Sequence, residues 1–109
     1  MSTLTLAQRN DLVRATFIGC HVFLTEGIRA LPDEKQYRIV EAVQTFSTFD
    51  EDNDPHGEHD FGSINLPGID RVFWKIDYYD RNSDHMGSVD PADPTVTRYV
   101  LTIMLASEY

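Results

Sequence analysis

Apolar residues recur near helical spacing at the start of the chain, where Leu6, Val13 and Phe17 share a face and Leu12 flanks them. Thr5-Leu6-Ala7-Gln8 has capping-box form: the threonine hydroxyl can accept from the third helical amide while the glutamine side chain reaches back. With Gly19 as a stop, this predicts an amphipathic helix over residues 6–18. Cys20-His21-Val22-Phe23-Leu24-Thr25 is dense in strand formers and ends at Glu26-Gly27, which predicts a strand entering a turn, with residues 28–31 as a second short arm. Pro32-Asp33-Glu34 then opens a second helix, because proline loses nothing at a first helical position and acids favour the positive end of the dipole. Ile39, Val40, Val43 and Phe46 form its apolar stripe, with Arg38, Glu41 and Gln44 outside, over residues 32–46.

From Phe61 the period changes from helical to alternating. Phe61 to Leu66 leads into Pro67-Gly68, the pair preferred at the centre of a type II turn, and then into Arg71 to Tyr79, so the segment predicts a hairpin. Val72, Trp74, Ile76 and Tyr78 are the buried set, and the other face carries Arg71, Phe73, Lys75, Asp77 and Tyr79. Two Asp-Pro pairs make residues 80–95 a turn-rich connection. The last apolar run, 96–105, suits a strand by its β-branched density and its alternating Tyr99, Leu101, Ile103 and Leu105, and a buried helix by its length and its Asp93-Pro94 opening; the strand is preferred. The resulting expectation is an α+β domain spanning residues 1–109, with two helices packed on one face of a three- or four-stranded antiparallel sheet. The second sheet face is then open, and Phe73 and Tyr79 on it are candidates for a protein-binding surface.

Charge adds what the pattern does not. The chain of 109 residues carries a formal net charge of −9. Residues 1–49 hold five acids and five bases, whereas residues 50–93 hold twelve acids against Arg71, Lys75 and Arg81. Such a field repels nucleic-acid phosphates and anionic membranes and favours a basic protein partner. Direct nucleic-acid and membrane binding are therefore not expected, while a homodimer is left open. No apolar run approaches the roughly 20 residues of a bilayer-spanning helix, and MSTLTLAQRN lacks a signal-peptide layout, so a cytoplasmic location is the expectation. The single Cys20 has no second cysteine to pair with and is expected as a small buried apolar side chain.

The densest chemistry is FDEDNDPHGEHD, residues 49–60, with six carboxylates and two imidazoles. Asp54, His56, His59 and Asp60 are the candidate metal ligands, since imidazole and carboxylate are the donors of borderline-metal sites. The spacings argue against one. The zinc-protease signature fails because Gly57 follows His56 and the histidines are three apart. A calcium loop counted from Asp50 puts Pro55 at the glycine position and Phe61 at the glutamate position, and one counted from Asp52 ends on Ser63. The run fits better as a turn whose carboxylates bind local backbone amides. His59, Asp77 and Tyr79 are the candidate catalytic residues, should the acidic loop fold over the central strand and bring acid, base and phenol together with Lys75. Asp50, Glu51, Asp52, Asp54, Glu58 and Asp60, with Phe73 and Tyr79, are the candidate binding residues. His21 and His85 look incidental, and without a glycine-rich phosphate loop or dinucleotide fingerprint no cofactor is expected.

Read together, NDPHGEHDFG, FWKIDYYD and the terminal LTIMLASEY resemble, in the same order and over nearly the whole chain, a family of small bacterial proteins built on a domain of unknown function. The resemblance brings no catalytic or binding assignment. It implies carriage near plasmid or other mobile-element genes, and with that an anti-defence role. Two function classes stand at this point. One is an acidic interaction protein that engages a basic nucleic-acid-handling protein by charge mimicry; the other is a small hydrolase or metal-dependent enzyme built on the 54–60 cluster. A third, blander class is an accessory module with no ligand of its own.

Overall fold

The Thr5 hydroxyl accepts the Gln8 amide at 3.1 Å and Gln8 Oε1 accepts the Thr5 amide at 2.9 Å, so the capping box read from the sequence starts helix α1, Leu6–Thr16. The computed structural model describes residues 4–83 and 86–109; Asp84 and His85, in the connection, lie outside the described residues. Helix α1 ends two residues earlier than the pattern predicts. Phe17 takes the left-handed cap conformation (φ 59°) and its amide returns to the Val13 carbonyl at 2.7 Å. Strand β1 (Cys20–Leu24) follows, then helices α2 (Glu26–Arg29) and α3 (Asp33–Gln44), strands β2 (Phe61–Ile64), β3 (Val72–Asp80) and β4 (Thr97–Leu105), and a 3-10 turn, Ala106–Glu108.

Two expectations are corrected here. Residues 28–31 do not extend a strand, because Glu26–Arg29 form α2, which seats Ile28 in the core. The cause lies far away in sequence. Glu108 places its carboxylate on the Thr25 hydroxyl (2.6 Å), the Leu105 amide (2.8 Å) and the Gly27 amide (3.0 Å), which holds its carboxyl below the ordinary range. A Cβ at Gly27 would lie 2.7 Å from Glu108 Oε1 and 2.8 Å from Leu105 Cδ1, so a side chain there would push the ends of these two side chains aside. Secondly, the sheet is mixed rather than antiparallel. Its order is β1-β4-β3-β2, with β1 parallel to β4 and the other two pairs antiparallel. Alternation along a strand reports which face is buried and not the direction of the neighbouring strand, so the period-2 pattern left this undetermined.

The ambiguous C-terminal run is a strand, and it occupies a central position where the sheet needs a long apolar element. The hairpin turn forms as read, with the Ile69 amide on the Leu66 carbonyl at 3.2 Å and Gly68 at φ 76°. Lys35 and Arg38 of α3 each donate to it, at the Gly68 and Pro67 carbonyls (both 3.0 Å).

Val72, Trp74 and Ile76 of β3 and Tyr99, Leu101 and Ile103 of β4 join Val13 of α1, Ile28 of α2, and Ile39 and Val43 of α3 in one buried cluster. Trp74 sits in its midst with no exposed surface, the rings of Phe46 and Phe49 meeting it edge-on at 5.5 and 6.1 Å. The open face is less bare than the pattern suggests. Phe73 is half-buried beneath Phe61 and Tyr109 (ring centroids 5.2 and 5.6 Å), and Tyr79 lies under the Arg98 guanidinium at 5.2 Å. Among the described residues no helix is long and apolar enough to cross a membrane.

Candidate functional site

The run from Phe49 to Asp60 is a built loop whose acids divide into two kinds. Asp50 Oδ1 accepts the amides of Asp52 and Asn53 (both 2.9 Å), Asn53 Oδ1 accepts the Asp50 amide (3.0 Å), and Asn53 Nδ2 donates to the Thr48 carbonyl (2.8 Å). Asp54, whose side chain is only 6% exposed, accepts the amides of Glu58 (3.0 Å) and His59 (3.2 Å). These are Asx-type bonds, in which a short carboxylate or amide side chain stands in for the backbone and fixes a tight turn. Gly57 at φ 64° and His59 at φ 57° supply the left-handed steps. Among the described residues the carboxylates of Glu51 and Asp52 make no such internal bond; both residues stand exposed, as does His56.

His59 turns inward. Its Nδ1 lies 2.9 and 3.0 Å from the two carboxylate oxygens of Asp11 on α1, its Nε2 lies 3.6 Å from Asp54 Oδ2, and its ring stacks on Phe49 at 3.9 Å and 2°. The Asp54 approach is too long for a hydrogen bond and acts through space, whereas the Asp11 contact is one. Beneath this stack the Arg14 guanidinium lies 5.2 Å from the Phe49 ring and 5.0 Å from Trp74. Arg14 also bonds Asp11 (3.0 Å) and donates to the carbonyls of Val43 (3.1 Å) and Phe46 (2.8 Å). Immediately before Asp11 in α1, the fully buried Asn10 donates to the Glu58 carbonyl at 2.9 Å and to the Tyr78 hydroxyl at 2.6 Å. The loop is thus tied to α1 at Asn10 and Asp11 and rests on the core through Phe49.

Two titrating groups are perturbed beside these ties. Burial first, and then the Glu58 and Asp54 carboxylates, push the Asp60 carboxyl above its ordinary value of 3.8. Burial likewise pushes the Tyr78 phenol up, with Asp60 and Glu58 adding to it against the Asn10 hydrogen bond. The Asp60 shift has a definite sign in stability. A carboxyl whose folded pKa is raised contributes stability that is fully present below its unfolded value and lost as pH climbs through the raised value. Asp60→Asn is therefore expected to gain on the wild type as pH rises from below 3.8 to neutrality. Urea unfolding at a series of pH values checks this, and a difference that stays flat or shrinks toward neutral pH counts against it.

The structure distributes the sequence candidates over two faces. His59, Asp54, Glu58 and Asp60 gather at the α1 side with Tyr78, while Asp77 and Tyr79 alternate to the open face with Lys75, which pairs with Asp77 at 3.0 Å. The acidic loop does not fold over that face, so the grouping of His59 with Asp77 and Tyr79 is not formed. Phe73 also lies on the open face, away from Asp50, Glu51 and Asp52. Asp54 and His59 approach each other while His56 points to solvent, and among the described residues no group of three or more His, Cys, Asp and Glu side chains is arranged to hold a metal. Cys20 is half-buried, and burial raises its thiol pKa, which keeps it protonated. His21 is exposed on β1.

Sequence reasoning missed Asn10, Asp11 and Arg14. A signal for two of them was present: Asn10 and Arg14 share helical spacing with Leu6 and Val13, so polar residues occupy a face the pattern assigned to the core. A sequence model of one protein family matches residues 24–108. The chain belongs to this family, described as Protein of unknown function (DUF3768). The DUF3768 match runs from the last residue of β1 into the final 3-10 turn and so includes the whole acidic loop, whereas its α1 anchors Asn10, Asp11 and Arg14 precede the matched region. No curated protein and no solved structure matches the chain.

Proposed function

We propose that this DUF3768 member is an interaction protein whose acidic loop engages a basic, nucleic-acid-handling protein at the surface that otherwise receives phosphates, as an anti-defence inhibitor. The observation that carries this reading is the division of labour in the loop. Asp50, Asn53 and Asp54 spend their side chains on backbone amides, and His59 docks the loop to Asp11, so Glu51 and Asp52 are presented on a backbone already ordered. A pre-ordered charged surface loses less conformational entropy on binding than a flexible acidic tail. The net charge of −9 adds long-range attraction to a basic partner and raises the encounter rate.

The test is capture of the partner from the native cell, followed by affinity measurements across a salt titration. Affinity should fall steeply between low salt and 1 M, where the screening length drops from about 10 Å at 0.1 M to about 3 Å. Glu51→Lys with Asp52→Lys should abolish binding, and the partner's nucleic acid should compete with the chain. Salt-independent affinity, or simultaneous binding of nucleic acid and this chain, overturns the proposal.

A further inference from the structure

Strand β1 forms one edge of the sheet, and its peptide groups are half unused. Successive peptide groups of a strand point to opposite sides in the sheet plane. The Thr25 amide donates to the Ile103 carbonyl at 3.1 Å, which sets the phase: the peptide groups of His21 and Phe23 face β4, and those of Cys20, Val22 and Leu24 face outward. Among the described residues nothing hydrogen-bonds to these outward groups. The side chains tell the same story. Cys20, Val22 and Leu24 are only half-buried, whereas their register partners Tyr99, Leu101 and Ile103 are 2%, 0% and 0% exposed. Phe23 is 56% exposed on the open face, and Leu12 and Ile18 stand exposed at the entry to the strand.

An unpaired edge bearing exposed apolar side chains is a template for another strand. Charge bears on which edge a second copy could use. Two chains of −9 repel each other, so self-association is least opposed where acids and bases balance. Residues 1–49, which supply β1 and helices α1 to α3, hold five acids and five bases. The opposite edge, β2, is four residues long and is entered from the acidic loop, so like charges guard it.

We propose that a second copy of this chain pairs along β1. The two β1 strands run antiparallel about a two-fold axis normal to the sheet and centred on Val22, joining two four-stranded sheets into one with both helical layers on the same side. Cys20 of each copy then lies opposite Leu24 of the other, and Phe23 of each lies beside His21 of the other, on the open face. The outward peptide groups of Cys20, Val22 and Leu24 become a ladder, and the two acidic loops stay with the outer halves of the assembly.

Sedimentation equilibrium and concentration-dependent amide exchange test this. The average mass should climb from 12.5 kDa toward twice that value as concentration rises, and the Cys20, Val22 and Leu24 amides should become protected in step. Added salt should strengthen association by screening the repulsion, the opposite sign to binding of a basic partner, so the two proposals fail separately. Phe23→Lys, at an exposed position, should weaken association at least about tenfold even though it lowers the net negative charge. It should leave capture of a basic partner unchanged. A chain that stays monomeric up to about 1 mM overturns the proposal. So does a dimer that survives Phe23→Lys with those three amides unprotected.

Discussion

Trp74→Ala should lower the unfolding free energy by about 3–5 kcal/mol, the range for removing a large aromatic ring from a packed core. The indole has no exposed surface and is enclosed by Phe46, Phe49 and the Arg14 guanidinium, so its removal leaves a cavity lined by these side chains. Among the described residues its Nε1 has no hydrogen-bond partner, so deletion orphans no buried group there and the cost is that of the cavity and the lost ring contacts. Domains are stable by only about 5–15 kcal/mol, so the variant should be partly unfolded under mild denaturant. The same ring forbids a side chain at Gly62, where a Cβ would lie 2.6 Å from Trp74 Cε2 and 2.9 Å from Phe46 Cζ. Gly62→Ala should accordingly cost about 1–3 kcal/mol by overpacking. Urea unfolding followed by far-ultraviolet circular dichroism measures both; Trp74 is the single tryptophan, so its fluorescence serves only Gly62→Ala. A loss below about 1 kcal/mol at Trp74 would show that the core closes without it.

How much of this was legible in the sequence follows from the range of each interaction. Thr5 and Gln8 cap α1 across three residues, and Pro67-Gly68 turns the hairpin across four, so both were readable from local spacing. The alternation of Val72, Trp74 and Ile76 gave the buried face of β3 for the same reason. What was not readable depends on contacts between distant residues. Glu108 reaches back to Thr25 and Gly27 to fix α2, and β4 inserts beside β1 in parallel. The acidic loop was half legible. The expectation that its carboxylates bind local amides matches the bonds of Asp50 and Asp54, but its docking to α1 through His59, Asp11 and Asn10 spans 48 residues and leaves no local signature. Alternation along β3 already placed Asp77 and Tyr79 opposite Tyr78; only the path of the loop was needed to show that His59 joins Tyr78's side.

Arg14→Met should be the second most damaging change, at about 2–4 kcal/mol, because it keeps the apolar stem and removes a fork that three acceptors use. Nε donates to the Val43 carbonyl, Nη2 to the Phe46 carbonyl and Nη1 to Asp11. The Val43 carbonyl keeps the Phe46 amide at 3.3 Å, whereas among the described residues the Phe46 carbonyl is left without a partner. A buried acceptor left unpaired costs roughly 1–3 kcal/mol, and the half-buried Phe46 carbonyl falls toward the lower end of that range; a desolvated guanidinium stacked on aromatic rings contributes about 1–2 kcal/mol more. The Asp11 carboxylate is 42% exposed and can rehydrate, so the ion pair itself adds little. Arg14→Lys should rescue poorly, since an ammonium cannot serve three divergent acceptors or stack on the Phe49 and Trp74 rings. Because the geometry is buried, the loss should persist in high salt, unlike that of a surface pair. The further consequence lies in the loop. With Arg14 gone, Asp11 loses the neighbour that orients it toward His59, and Phe49 loses the cation beneath its ring, so amide exchange at Glu58 and His59 should quicken beyond the global destabilisation. If Lys restores full stability, or if exchange at Glu58 and His59 tracks global unfolding alone, Arg14 acts as a simple charge and the loop is held without it. If exchange quickens locally, a residue that never reaches the acidic surface controls how firmly Glu51 and Asp52 are presented.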